Sequence, residues 1–272
     1  MAAASVDTLK LLQKSALSVS MVLTHLSLLI TDLDHTLVGD DESLGLLNQI
    51  LDRYRQTGGT KLVYATGRSR VSYQDLTTTQ SLLTPDALIA AVGTEIYLDG
   101  SETPDPAWAQ QLSANWQREE IVAIASRFAD LEAQPQSEQR PFKVSYYLSP
   151  SVVAAVIPQL QTLLTAQGLA AEVIYSGSKD LDLIPQGGDK GAAVQFLRDR
   201  WQLDPIQTVV CGDSGNDISL FKYGTERGII VGNAQSELRL WHELHPANYH
   251  YLAVADYAAG ILEGLQYFQF VA

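Results

Sequence analysis

Ile30–Asp40 reads ITDLDHTLVGD, and the apolar run Leu26–Ile30 leads straight into it. The run has the character of a buried parallel strand, with acidic residues placed where the strand ends. Residues two apart in an extended chain point the same way, so Asp32 and Asp34 present a pair of carboxylates to one place. A second stretch of the same form, CGDSGNDISLF (Cys211–Phe221), brings Asp213 and Asp217 out of another apolar run. Open α/β sheets bind ligands beyond the carboxyl ends of their strands, so both stretches can close on one site. Such a set of oxygen donors suits Mg²⁺, and Mg²⁺ suits phosphate chemistry.

Working outward, the chain alternates short apolar strands with amphipathic helices. Helices are expected over Glu42–Gln56, Ser69–Ser81, Asp189–Trp201, Asn216–Tyr223, Ser236–Leu244 and Tyr257–Phe268. Strands are expected at LSLLITD, KLVYATG, ALIAAVG, TVVCGD, GIIV and YHYLAV. This alternation indicates βαβ units and a parallel sheet, an α/β fold. The middle of the chain breaks the rhythm. A helix is expected over Trp116–Leu131, with Ile121, Ile124, Ala125 and Phe128 on one stripe. FKVSYYL, a helix over Val152–Gln167, AEVIYS and DLDLI then read as a small antiparallel sheet with its helix. An α+β block inside an α/β frame is a second domain, expected at 106–187. The frame is then 26–105 and 188–272, with hinges at Asp99–Trp108 and Pro185–Gly188. Residues 1–25 read as a flexible, weakly helical extension outside the fold, an over-long start with Met21 expected as the true initiator.

The 272 residues carry a formal net charge of −13, which disfavours nucleic acid and anionic membranes as partners. That charge also opposes a phosphorylated ligand, so a phosphate site must supply its own cations. The single cysteine, Cys211, excludes an internal disulfide and sits inside an apolar strand, where a thiol is inert. No apolar run approaches the ~20 residues that span a bilayer, and the cytosol is the expected location.

Two further segments complete a phosphate site. VYATGRS ends a strand with Thr66 and Gly67, offering a hydroxyl and a loop N–H. GGDKGAA places Lys190 at the start of a helix, where free N–H groups already favour anions. In this order, ITDLDHT, YATGRS, GGDKGAA and GDSGND resemble the four motifs of the haloacid dehalogenase-type phosphatases, over residues 27–265. The inserted block resembles the large α+β cap of the Cof-like branch. With AVGTEIY, PFKVSYYLSP and SGSKDLDLIPQGGDKGAA, the chain is similar to the sucrose-phosphate phosphatases of cyanobacteria and plants.

The resemblance implies a Rossmann-like parallel sheet core with an inserted cap, and hydrolysis of sucrose 6-phosphate to sucrose and phosphate. It implies Asp32 as nucleophile and Asp34 as general acid and then base. Mg²⁺ would be held by Asp32, Asp34 (through its main-chain carbonyl), Asp213 and Asp217. Thr66 and Lys190 would serve catalysis by binding the phosphoryl group, with Gly67, Arg68 and Asn216 at the substrate. Sugar contacts would come from the cap, where Glu138, Lys143, Lys179 and Asp180 are the polar candidates. His35 is expected to point away from the site. His242, His245 and His250 show no zinc pattern, and Trp108 and Trp116 are expected to pack. The expected ligand is a small sugar phosphate bound by a monomer, with association with a sucrose-phosphate synthase open. Three alternatives stay open: another phosphosugar such as mannosyl-3-phosphoglycerate, a non-catalytic partner domain of the synthase, or a phosphomutase.

Overall fold

The computed structural model describes residues 25–271, so all of the expected N-terminal extension but its last residue lies outside them. Strand β1 (Leu28–Thr31) is buried along its whole length. It is followed by helix α1 (Asp41–Gly58), β2 (Lys61–Ala65), α2 (Arg70–Thr79), β3 (Ala87–Ala90), β4 (Glu95–Leu98) and α3 (Pro106–Ser113). Helix α4 (Arg118–Ala125), β5 (Glu132–Ala133), β6 (Val144–Tyr147), α5 (Val153–Ala166), β7 (Ala171–Ser176) and β8 (Asp180–Pro185) come next. The chain closes with α6 (Lys190–Trp201), β9 (Thr208–Gly212), α7 (Ile218–Lys222), β10 (Arg227–Ile230), α8 (Ser236–Leu244), β11 (His250–Leu252) and α9 (Tyr257–Tyr267).

Seven strands form one sheet in the order β11-β10-β9-β1-β2-β3-β4, parallel throughout except for β4. The sequence builds outward from β1 on both sides, so the order reverses between β1 and β9. That junction is the switch point at which doubly wound sheets hold their ligands. Alternate residues feed two cores. Leu29, Val209 and Cys211 face the layer holding Leu44, Leu47 and Leu51 of α1 and Ile261 and Leu265 of α9. Leu28, Ile30 and Val210 face Val194 and Leu197 of α6 and Leu220 of α7. This two-sided burial is why the strands read as unbroken apolar runs.

The other four strands form an antiparallel sheet, β5-β6-β8-β7. Its apolar face packs Val144, Leu181 and Leu183 against Ile121 and Ile124 of α4 and Leu160 and Leu164 of α5. Helix α4 stops well short of the expected Leu131. Arg127 and Phe128 donate to carbonyls three residues back, Ile124 and Ala125. This tightening ends the helix while keeping Phe128 against the cluster.

Part of the expected hinge, Asp99–Trp108, is helical. Asp105 caps α3 by accepting from the N–H groups of Ala107 and Trp108. Trp108 is fully buried, packs on Phe196 at 5.2 Å and donates its indole N–H to the Gly93 carbonyl at 2.9 Å. Residues 106–113 therefore pack with the large sheet. Among the described residues, no helix is long and apolar enough to cross a membrane.

Candidate active site

Asp32 follows β1 directly, and its N–H continues the ladder to the Cys211 carbonyl at 3.0 Å. Asp213 leaves the adjacent β9. The two carboxylates thus arise from neighbouring strand ends, and Asp217 joins them from the turn between β9 and α7. One oxygen from each of the three lies within 4.8 Å of the others, and all three residues are buried.

Lys190, fully buried, sits beneath this group. Its ammonium donates to Asp32 Oδ1 at 2.6 Å, Asn216 Oδ1 at 2.7 Å and Asp217 Oδ1 at 2.7 Å. Three N–H bonds meet three acceptors, which satisfies an ammonium completely. Burial alone would depress the Lys190 pKa, but Asp217 and Asp32 outweigh it and raise it above the usual lysine value. Asp217 is used twice, since its Oδ2 accepts from the N–H groups of Asp213 and Ser214 at 3.0 and 3.1 Å.

The helix start that carries Lys190 is fixed on several sides. Asp189 caps α6 by accepting from Ala192 N–H at 2.8 Å, and its other oxygen accepts from the Tyr223 hydroxyl at 2.7 Å. Gly191 N–H donates to Ser219 Oγ. Gly93, at φ 113°, presses on the Asp189–Lys190 peptide so closely that a Cβ there would lie 2.2 Å from the Asp189 carbonyl carbon. Both the backbone angle and the space demand glycine. Gly93→Ala is therefore expected to displace Lys190, lowering kcat by about 10²-fold as a misplacement of ~1 Å does. Steady-state kinetics and a melting curve would check this, and unchanged kcat would refute it.

Burial pushes the Asp32 carboxyl up to about 7, with Lys190 opposing and Asp217 adding to the rise. Burial, then Asp217 and Asp32, push Asp213 up to about 9. A cation among them relieves both. The donors are all carboxylate oxygens, which fits a hard divalent ion. Thr36, which the sequence reading passed over, donates to Asp213 Oδ1 at 3.1 Å and sets its orientation.

Asp34 is placed differently from these. Its side chain is outside the trio and takes a two-pronged bond from Arg68, Nε to Oδ2 and Nη2 to Oδ1, both 2.7 Å. Arg68 also donates to Ser72, so its guanidinium is spent on holding Asp34 and the start of α2. The Thr66 hydroxyl is buried and accepts from Arg68 N–H at 3.1 Å, which leaves its proton to donate. Gly67 lines the cleft above.

That cleft, about 480 Å³, runs from Asp32, Asp34 and Asp213 to the small sheet. Glu138, Lys143, Lys179 and Asp180 all line it, as does Asn216. Lys143 is almost wholly buried, 3.3 Å from Asp182 Oδ1 and 3.9 Å from Glu138 Oε2. Asp180 accepts from Gln134 at 2.9 Å. Gln134 and Asp182 were not foreseen. Asp182 was within reach of the alternation rule, since it shares a strand face with Asp180. Gln134 carries no sequence signal. His35, expected to point away, also lines the cleft. Its left-handed backbone (φ 61°) and the Asn233 bond to its carbonyl turn the chain there. His245 stacks on Trp241 at 4.9 Å, and His250 meets Phe221 edge-on at 5.6 Å, so these histidines pack.

The sequence profile of the sucrose-6F-phosphate phosphohydrolases matches residues 25–269. Probable sucrose-phosphatase 2 of Arabidopsis thaliana is 38% identical over 89% of this chain and 59% of its own length. The chain thus spans about three fifths of that plant relative. Mannosylfructose-phosphate phosphatase of Agrobacterium fabrum is 32% identical over 89% of this chain and 96% of its own. The crystal structure of a Synechocystis sucrose-phosphatase in complex with sucrose and phosphate superposes with a TM-score of 0.86. It is 44% identical and covers 92% of this chain and 100% of that one. By profile, identity and fold, the chain belongs to the sucrose-6F-phosphate phosphohydrolase family.

Proposed function

We propose that the chain hydrolyses sucrose 6-phosphate to sucrose and inorganic phosphate through an aspartyl-phosphate on Asp32. The carrying observation is the state of that carboxylate at the switch point. Oδ1 is fixed by Lys190, no hydrogen bond to Oδ2 is found among the described residues, and Asp32 lines the cleft. Oδ2 attacks phosphorus, and the bond to the sugar 6-oxygen breaks. Asp34, once turned out of the Arg68 fork and carrying a proton taken from solvent, gives it to the departing oxygen and then takes one from the water that attacks the acyl phosphate. Phosphate leaves and the Asp32 carboxylate is restored. Between turnovers Arg68 holds the Asp34 carboxylate at the cleft. Thr66 donates its hydroxyl hydrogen to a phosphoryl oxygen. Lys190, whose three N–H bonds are already taken, fixes Asp32 Oδ1 and offsets its charge from below, rather than binding phosphate as the sequence suggested.

Asp32 and Asp213 would hold Mg²⁺, with the Asp34 carbonyl contributing and Asp217 beside them. The ion would supply Lewis-acid charge neutralisation at the phosphoryl oxygens. The small sheet with α4 and α5 acts as the cap, and Lys143, Lys179, Asp180, Glu138 and Gln134 face the sugar. Its polar, charge-rich lining suits hydroxyl groups, where charge-assisted bonds contribute ~1.5–3 kcal/mol each. The chain works as a monomer, and any contact with a sucrose-phosphate synthase is additional to catalysis.

A second reading, mannosylfructose phosphate as substrate, has one observation in its favour: the Agrobacterium relative matches over almost its full length. Phosphate release from a sugar-phosphate panel, with Mg²⁺ and with chelator, separates the two. Preference for sucrose 6-phosphate by at least ~10²-fold, lost with chelator, is the expected result. A preference for mannosylfructose phosphate would transfer the assignment, and no release from any would end the phosphatase reading.

A further inference from the structure

Three consecutive residues of β7 meet the large-sheet side of the molecule. Ile174, with Ile184 of β8, packs on Val92 in the loop after β3, a small apolar cluster separate from the three larger ones. The Tyr175 carbonyl lies over Gly215, where a Cβ would stand 2.2 Å from its oxygen. Ser176 Oγ accepts from Asn216 Nδ2 at 3.4 Å. Asn216 is the residue whose Oδ1 receives the Lys190 ammonium.

The one other close neighbour a Cβ at 215 would meet is Glu237 Cγ at 3.1 Å, part of a flexible side chain that can give way. The Gly215 φ is outside the left-handed region, so backbone freedom does not require glycine. The Tyr175 oxygen is main chain, fixed by the β7–β8 ladder at Tyr175–Leu181, and cannot swing aside. Any side chain at 215 therefore lifts this edge of the small sheet.

We propose that Gly215 is a positioning residue: its bare Cα lets β7 seat on the catalytic loop, and the seated strand, through Ser176 and Asn216, steadies Lys190. The inference rests on the phosphatase reading and says when that site is fully assembled. A disaccharide phosphate needs the seated cap, because its sugar contacts lie on it. A small aryl phosphate reaches Asp32 with the cap seated or lifted.

The test uses the full chain with nitroxide labels at Asp52→Cys on α1 and Gln159→Cys on α5. Both sites are exposed, and Cys211 is buried and escapes labelling. Gly215→Ala is expected to add a longer, broader distance population. In the unlabelled protein it should lower kcat/KM for sucrose 6-phosphate by about 10²-fold and for p-nitrophenyl phosphate by less than about tenfold. Ile174→Ala, which thins the apolar seam from the other side, should move both readouts the same way and guards against a local fault in the 214–217 turn. Unchanged distances in both variants, or equal losses on the two phosphates, would overturn the proposal. If the parent protein does not prefer sucrose 6-phosphate, the substrate reading fails, and the distance measurement alone decides the role of Gly215.

Discussion

Asp32→Asn abolishes turnover, by at least ~10⁴-fold, and leaves the fold intact. A carboxamide has the shape of the carboxylate and keeps an oxygen for the Lys190 ammonium, but it cannot form the acyl phosphate. The effect on stability has a definite sign. In the folded protein the Asp32 carboxyl titrates near 7, raised chiefly by burial and partly restored by Lys190. The folded state therefore binds more protons than the unfolded one between about pH 4 and pH 7. Stability from this group is lost as pH rises through that window. Asparagine carries no such loss, so the variant should melt at the same temperature as the parent or higher at pH 7 to 8 without divalent ions. Phosphate release, hydroxylamine-sensitive phosphoenzyme and melting curves from pH 4 to 8 check each part. Turnover within tenfold of the parent would remove Asp32 as nucleophile.

Much of this site was legible because it is built from strand ends. The apolar runs before Asp32 and Asp213 locate two strand termini, and the β1–β9 pairing makes them neighbours. Lys190 was legible as the opening residue of a helix. What stayed hidden depends on contacts made far along the chain. Arg68 follows a phosphate-binding Thr-Gly and reads as a substrate contact, yet its guanidinium is forked on Asp34, 34 residues away. Thr36 looks like an ordinary loop threonine until Asp213 is brought to its hydroxyl. Gln134 directly follows a two-residue strand, β5, too short for periodicity to register. The stretch Asp99–Trp108 has the composition of a linker, but the same Asp and Pro that suggest a hinge also start α3. Composition cannot separate those two uses; the burial of Trp108 does.

Lys190→Ala should be the more damaging change, because it strikes both chemistry and fold. In the parent, one ammonium answers Asp32, Asp217 and Asn216 in a volume without solvent. Its removal leaves two buried carboxylates facing each other with nothing between them, which costs about 3–5 kcal/mol for a broken buried pair. The loss should be largest above pH 7, where the Asp32 carboxyl is forced to ionise beside Asp217, and should shrink toward pH 5 as protonation of Asp32 substitutes for the missing cation. Activity falls separately, by about 10³-fold, since the preorganised charge that fixes and offsets the attacking carboxylate is gone. Lys190→Arg should not rescue it, because a planar guanidinium cannot replace a compact ammonium at three acceptors 2.6 to 2.7 Å away. Lys190→Ala combined with Asp217→Asn removes one of the stranded charges, so it should regain part of the stability and none of the turnover. That divergence is the informative outcome. Denaturant curves at pH 5 and pH 8 beside phosphate release would measure it, and a single variant as stable as the parent at pH 8 would show that Lys190 is not what holds these carboxylates together.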